Sequence, residues 1–174
     1  MIQETTQGIR VIPENIPEEL TELEQWVCWH YEERDGKLTK VPYTPGTLRR
    51  ASSTDPSTWT TFEIATQAYE FGYDDFGPEE HGEPSYDGVG FVFSDDDPYA
   101  GIDLDKCRNP ETGDIAPWAQ EILDRVGDGY VEASPSGAGI HVIVCGSARG
   151  GGIRRGPVEM YSRGRYFTIT GRTL

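Results

Sequence analysis

Two carboxylates stand two residues apart in "YAGIDLDKC", residues 99–107, a stretch otherwise patterned as a β-strand. Strand side chains alternate, so Asp103 and Asp105 point the same way from bases roughly 6.6 Å apart, with Ile102 and Leu104 on the opposite face. Such a pair repels unless a cation, a basic side chain or water lies between its members. The apolar lead-in "GVGFVF" places it in the middle of a sheet, where an unpartnered charge is costly. Glu159 stands in a second apolar strand with Val158, Met160 and Tyr161, and is the only acid among the six arginines of residues 149–172. Three carboxylates from central strands are what two hard divalent cations need, and the competing reading is a solvated strand face.

A second group lies in "SPSGAGIHV". Pro135 and Gly137 make a turn after Ser134, Gly139 removes a side chain where something approaches the backbone, and His141 enters a strand. Either His141 is a core histidine bonded to a hydroxyl, or the turn's N–H groups, hydroxyls and imidazole grip a polyphosphate. In "GGIRRGPVEMYSRGRYFTITG", Arg163 and Arg165 flank Gly164 between two strands, as a solvated basic hairpin or as forked donors to phosphate. "SARGGGIRRG" lacks the Gly-Lys-Ser/Thr ending of a P-loop and reads as a flexible basic loop.

The elements that must carry these residues follow from local signals. Asp35-Gly36 marks a hairpin between the strands of "QWVCWHYEERDGKLTKVPYTP". Thr60 and Glu63 have capping-box spacing before a helix carrying Phe62, Ala65, Ala68 and Tyr69. Residues 72–87 read as a surface loop, and "GVGFVFS" and "YAGIDLDKC" as a pair of strands about the turn "DDDP". Pro117 opens and Gly127 closes a helix with Ala119, Ile122, Leu123 and Val126 on one face. "YVEAS", "GIHVIVCG", "GPVEMYS" and "RYFTITG" read as four strands, giving a mixed or antiparallel sheet with helices on one face after a smaller α/β portion.

A chain of 174 residues suits one domain. Cys28, Cys107 and Cys145 form no metal or disulfide spacing and read as buried small hydrophobes. No apolar run suits a bilayer or an export signal, so the expected location is cytoplasmic. The net charge of −15 argues against a nucleic-acid partner until its distribution is read. Eleven of the fifteen Lys and Arg residues fall in residues 34–50 and 149–172, whereas residues 74–105 hold eleven acids and neither Lys nor Arg. Anion-binding stretches within an acidic shell are implied, and such a shell is typical of halophilic proteins.

The order "GIDLDKC", "SPSGAGIHV", "VEMYSRGRYFTITG" resembles the three catalytic motifs of the archaeo-eukaryotic primase superfamily, in particular the primase-polymerase domains of phages, plasmids and archaeal mobile elements. The likeness extends to "NIPEEL", "ASSTDPSTWTTFEIA" and the segment around "GVGFVFSDDDPYAGIDLDKCRNPETGDIAPWAQEI". It implies an α+β fold with an RRM-like catalytic sheet, about residues 96–174, and a smaller N-terminal α/β part, about 1–95, within a single domain spanning residues 1–174. It implies a template-dependent nucleotidyltransferase, a DNA primase and polymerase working on single-stranded DNA template and primer with nucleoside triphosphates. Asp103, Asp105 and Glu159 would bind two Mg²⁺ or Mn²⁺ ions. His141, Ser136, Gly137, Gly139 and Arg165 would hold the incoming triphosphate. Lys37, Lys40, Arg49, Arg50, Arg154 and Arg155, from the basic stretches, are the expected template contacts. Family members often join a helicase, so a helicase module or partner is expected. The alternatives are a non-catalytic nucleic-acid or nucleotide-binding module of a mobile element, and a metal-dependent nuclease.

Overall fold

Asp35 and Gly36 take left-handed φ values of 52° and 72°, as a type I′ turn requires, and close the hairpin of β1 (Trp26–Arg34) and β2 (Lys37–Tyr43). The structure is a computed structural model describing residues 10–72 and 86–174, so Asp74, Asp75, Glu79, Glu80, Glu83 and most of the expected 72–87 loop lie outside the described residues. Helix α1 (Glu18–Thr21) precedes this hairpin. Helix α2 (Phe62–Phe71) packs its buried Ala65 and Ala68 side against β1, where the Cys28 thiol donates to the Ala65 carbonyl at 3.3 Å.

The α2 cap falls one residue later than the capping-box spacing indicates. Thr61, not Thr60, accepts the Ile64 N–H, because the backbone of Thr60 is already paired in both directions with Trp26. Strand β3 (Gly88–Phe93) is buried throughout, between β1 and the last strand, β9 (Arg165–Ile169), in an antiparallel sheet of order β2-β1-β3-β9.

The second sheet is also antiparallel, with order β5-β6-β4-β8-β7. Its strands are β4 (Tyr99–Leu104), β5 (Tyr130–Ala133), β6 (Ile140–Cys145), β7 (Gly152–Arg155) and β8 (Val158–Tyr161). Strands β3 and β4 are therefore not a pair. Asp97 explains the crossing between sheets: its carboxylate accepts the Ser94 and Tyr99 N–H groups and the Gln25 amide, bending the chain out of one sheet and into the other.

Two further expectations are corrected. "SARGGGIRRG" is not all loop, because Gly156, with φ 58°, turns the chain so that β7 pairs along β8 as an edge strand. Cys145 is exposed, since it ends β6 at the sheet margin.

One face of this five-stranded sheet packs Ile102, Leu104, Ile140 and Val142 beneath α3 (Pro117–Val126), which runs between the expected Pro117 and Gly127. The other face meets the first sheet. A Cβ on Gly101 would lie 2.4 Å from the Phe167 ring and 2.5 Å from that of Phe93, so this glycine permits the closest approach of the two layers. The α+β architecture thus aims the Asp103 side of the central strand at the seam between the sheets. Among the described residues, no helix is long and apolar enough to cross a membrane.

Candidate active site

Cross-strand register assembles the site. Asp103 on central β4 lies opposite His141 on β6 and Glu159 on β8; His141 lies opposite Glu132 on β5, and Glu159 opposite Arg154 on β7. Directly opposed residues share a face, so Glu132, His141, Asp103, Glu159 and Arg154 form one row across all five strands.

His141 is buried and held on three sides. Its ring stacks on Phe167 of β9 with centroids 5.1 Å apart, Nδ1 is 3.2 Å from Glu132 Oε1, and Nε2 is 3.8 Å from Asp103 Oδ1. Glu132 is 0% exposed, a position that a carboxylate tolerates only when its lone pairs are filled. Its Oε2 accepts the Tyr130 hydroxyl at 2.6 Å and the N–H groups of Thr170 and Gly171 at 2.8 and 2.9 Å. An ionised carboxylate only accepts, so Nδ1 carries its hydrogen toward Glu132 and Nε2 is the atom turned to Asp103. Sequence reading passed over Glu132. The available signal was an acid two residues from Tyr130 on an otherwise apolar strand.

The acids form an incomplete cluster. Asp103 has a side chain 29% exposed. Burial raises its pKa, Asp105 and Glu159 adding to the rise and His141 and Lys40 opposing it. Asp105 lies just past the end of β4, exposed, with its N–H bonded to Pro157 at 2.8 Å. Glu159 is turned toward other partners: Arg154 Nε lies 3.0 Å from one oxygen and the Tyr161 hydroxyl donates to the other at 2.6 Å. Among the described residues, no three His, Cys, Asp or Glu side chains converge closely enough to ligate one ion.

Lys40 extends from β2 with its ammonium 5.9 Å from the centre of the Trp29 ring. Burial lowers its pKa while the fields of Asp103 and Asp105 oppose that fall, so the aspartate pair lies within range of its charge.

The turn before His141 is tightly built. Ser134 Oγ accepts the Gly139 N–H at 3.1 Å, Ser136 Oγ accepts that of Ala138 at 3.3 Å, and Gly137 has φ 73°. A Cβ on Gly139 would lie 3.0 Å from the Leu104 carbonyl, so this glycine lets the turn sit against the end of β4 where Asp105 follows. Arg108, which sequence reading also passed over, steadies the turn by donating to the Gly137 carbonyl at 2.9 Å.

The expected phosphate and template residues are distributed unevenly. Arg165 lies over the Tyr161 ring at 5.1 Å, and so meets the row through Tyr161 rather than through His141. Arg154 is bound to Glu159, whereas Arg155, the next residue, is exposed on the edge strand β7. Lys37 is exposed beside Arg34 at the first hairpin's tip, Arg49 is exposed, and Arg50 is paired at 2.6 Å with Glu32, which also bonds the Tyr43 hydroxyl.

No protein-family model matches the chain. It is 35% identical over 161 residues to the DNA primase-polymerase of Nitratiruptor phage NrS-1. The similarity covers 89% of this chain and 20% of the phage protein, so the chain spans about a fifth of its relative's length.

Proposed function

We propose that this chain is a template-dependent nucleotidyltransferase domain, a DNA primase and polymerase that joins nucleotides on single-stranded DNA. The observation that carries the reading is the register placing His141 and Glu159 on either side of Asp103 on a central strand. The 35% identity to a DNA primase-polymerase supports it, as does the resemblance of the motifs to archaeo-eukaryotic primases.

The residues fit a pair of Mg²⁺ or Mn²⁺ ions in donor chemistry. Asp103, Asp105 and Glu159 offer only carboxylate oxygens, and burial, with the neighbouring acids Asp105 and Glu159, raises the pKa of Asp103, a penalty that a bound cation would relieve. Glu159 would have to exchange Arg154 and Tyr161 for metal. When bound, the ions would activate the strand's 3′-hydroxyl and offset the charge of the departing pyrophosphate.

The protein's own groups do the positioning. Glu132 and Phe167 fix the imidazole so that Nε2, once it too carries a proton, donates to a phosphate oxygen, with Ser136 and the Gly137–Gly139 backbone beside it. Lys40 supplies a cation near Asp103 and Asp105 before metal arrives. Arg154, released from Glu159, becomes available to phosphate.

A primer-extension and de novo priming assay on single-stranded DNA, run across KCl concentrations with wild type and Asp103→Asn, tests the proposal. Incorporation by wild type alone is expected; equal incorporation by both, or by neither, rejects it. The engagement of Glu159 by Arg154 and Tyr161 favours a second reading, binding without turnover, and wild-type incorporation would exclude that.

A further inference from the structure

The row of acids has two flanks. His141 and the Ser134–Gly139 turn occupy one, and the other, beyond Glu159, opens into a cleft of about 870 Å³. Arg154 and Tyr161, the two side chains bound to Glu159, line this cleft.

Another part of its wall is the segment that carries Trp59, a half-buried ring fixed by its indole N–H donating to the Ser52 carbonyl at 2.6 Å. Ser53 ties this wall to the β8–β9 turn, its hydroxyl donating to the Gly164 carbonyl at 2.9 Å. Glycines shape the side between. A Cβ on Gly151 would lie 2.5 Å from the Arg163 side chain, and one on Gly152 2.7 Å from the Tyr161 ring. Besides Arg154, the cleft therefore presents the partly exposed rings of Trp59 and Tyr161 and the exposed guanidinium groups of Arg163 and Arg165. Arg163 is held 3.1 Å from the exposed carboxylate of Asp95, a contact that a phosphate can replace.

Aromatic faces for bases beside forked cations for phosphates are the means by which proteins hold single-stranded nucleic acid. We propose that this cleft seats the nucleotide bearing the reactive 3′-hydroxyl, its base stacked on Trp59 and its 5′-phosphate on Arg163 and Arg165. This rests on the nucleotidyltransferase reading: if the incoming triphosphate lies on the His141 flank, the nucleotide it joins must approach the acids from the Glu159 flank. The occupant is the terminal nucleotide of a primer or a free initiating nucleotide, which share this chemistry.

The test uses the whole chain in EDTA, which removes turnover from the readout. An oligodeoxythymidylate carrying a 3′-terminal 4-thiothymidine is photocrosslinked, and the modified peptide is mapped by mass spectrometry. Crosslinking to the peptide of Trp59 or of Arg163–Arg165 is expected. Trp59→Ala and Arg163→Glu should each weaken oligonucleotide binding about tenfold, Trp59→Phe should largely restore it, and the affinity for dTTP, measured at saturating oligonucleotide so that the cleft is already filled, should be unchanged. Competition by free ATP would assign the cleft to initiating nucleotides as well as primers; its absence would assign it to primers. Crosslinks confined to the His141 turn or the 34–37 hairpin, wild-type oligonucleotide affinity in both variants, or a parallel loss of dTTP affinity would overturn the proposal. Crosslinking at the cleft by a protein that incorporates no nucleotide would reject the catalytic reading separately.

Discussion

The Oε1 oxygen of Glu132 lies 3.2 Å from Nδ1 of His141, so a fully buried carboxylate sets the orientation of the imidazole that faces Asp103. Four donors converge on this carboxylate: the imidazole, the Tyr130 hydroxyl and the N–H groups of Thr170 and Gly171. The site is thereby tied to the segment that follows β9. Glu132→Gln provides one acceptor oxygen where two were used, and presents an amide donor to another donor. We expect it to destabilise the domain by about 1–3 kcal/mol and to weaken nucleoside triphosphate binding on the order of tenfold, as the imidazole loses its anchor. Thermal melting and calorimetric titration with Mn²⁺ measure both. Unchanged nucleotide affinity in a folded Glu132→Gln protein would show that the contact serves the fold alone.

Ionisation of Asp103 should oppose folding in the absence of metal. Burial is the main reason that its pKa is above the ordinary 3.8, with Asp105 and Glu159 contributing in the same direction. A carboxyl raised in the folded state costs nothing below 3.8, costs progressively more as pH rises through its raised value, and costs its full amount above it. Asp103→Asn should therefore melt above wild type in EDTA near neutral pH, with the gain shrinking as the solution is acidified toward 3.8. A gain that persisted undiminished at acid pH would contradict this account.

The elements legible in the sequence were those fixed by local chemistry. Asp35-Gly36 could adopt the two left-handed conformations of its turn, and Pro117 and Gly127 bracket α3 because each suits its end of a helix. The aspartate-bearing strand was recognisable as central because its flanks are apolar. What was not legible depended on partners distant in sequence. The separation of β3 from β4 follows from Asp97 and Gln25, 72 residues apart, and the α2 cap moved because Thr60 pairs with Trp26. Glu132 carried only the weak signal of an acid on an otherwise apolar strand; register is what shows it opposite His141. Edge strand β7 was hidden by glycine and arginine, which suit a loop as readily as a margin.

The seam between the sheets should tolerate no side chain at Gly101. Its two neighbours are rings already in edge contact, Phe93 and Phe167, with centroids 5.0 Å apart. Gly101→Ala should cost about 1–3 kcal/mol by overpacking. Because Phe167 also stacks on His141, nucleotide affinity should fall with stability. Urea denaturation of this variant, beside Gly146→Ala, where a Cβ would meet nothing within 4 Å, measures the difference.

The expected template residues should separate by salt dependence according to the partners they already have. Lys37, Arg49 and Arg155 are exposed and can each displace a counterion from single-stranded DNA; replacing any of them with Ala should flatten the log–log salt dependence of binding by about 0.7. Arg50 is paired with Glu32 at 2.6 Å and Arg154 with Glu159 at 3.0 Å, so much of their charge is met within the protein. Arg50→Ala should leave the slope nearly unchanged. Arg154→Ala frees Glu159, and its effect should depend on Mn²⁺: weaker binding without metal, where a repulsive carboxylate is exposed, and near-normal binding once metal takes that carboxylate. Fluorescence anisotropy across a KCl series, with and without Mn²⁺, reads all five variants. Equal slopes for Lys37→Ala and wild type, or a metal-independent effect of Arg154→Ala, would remove these residues from the template surface or Glu159 from the metal site, respectively.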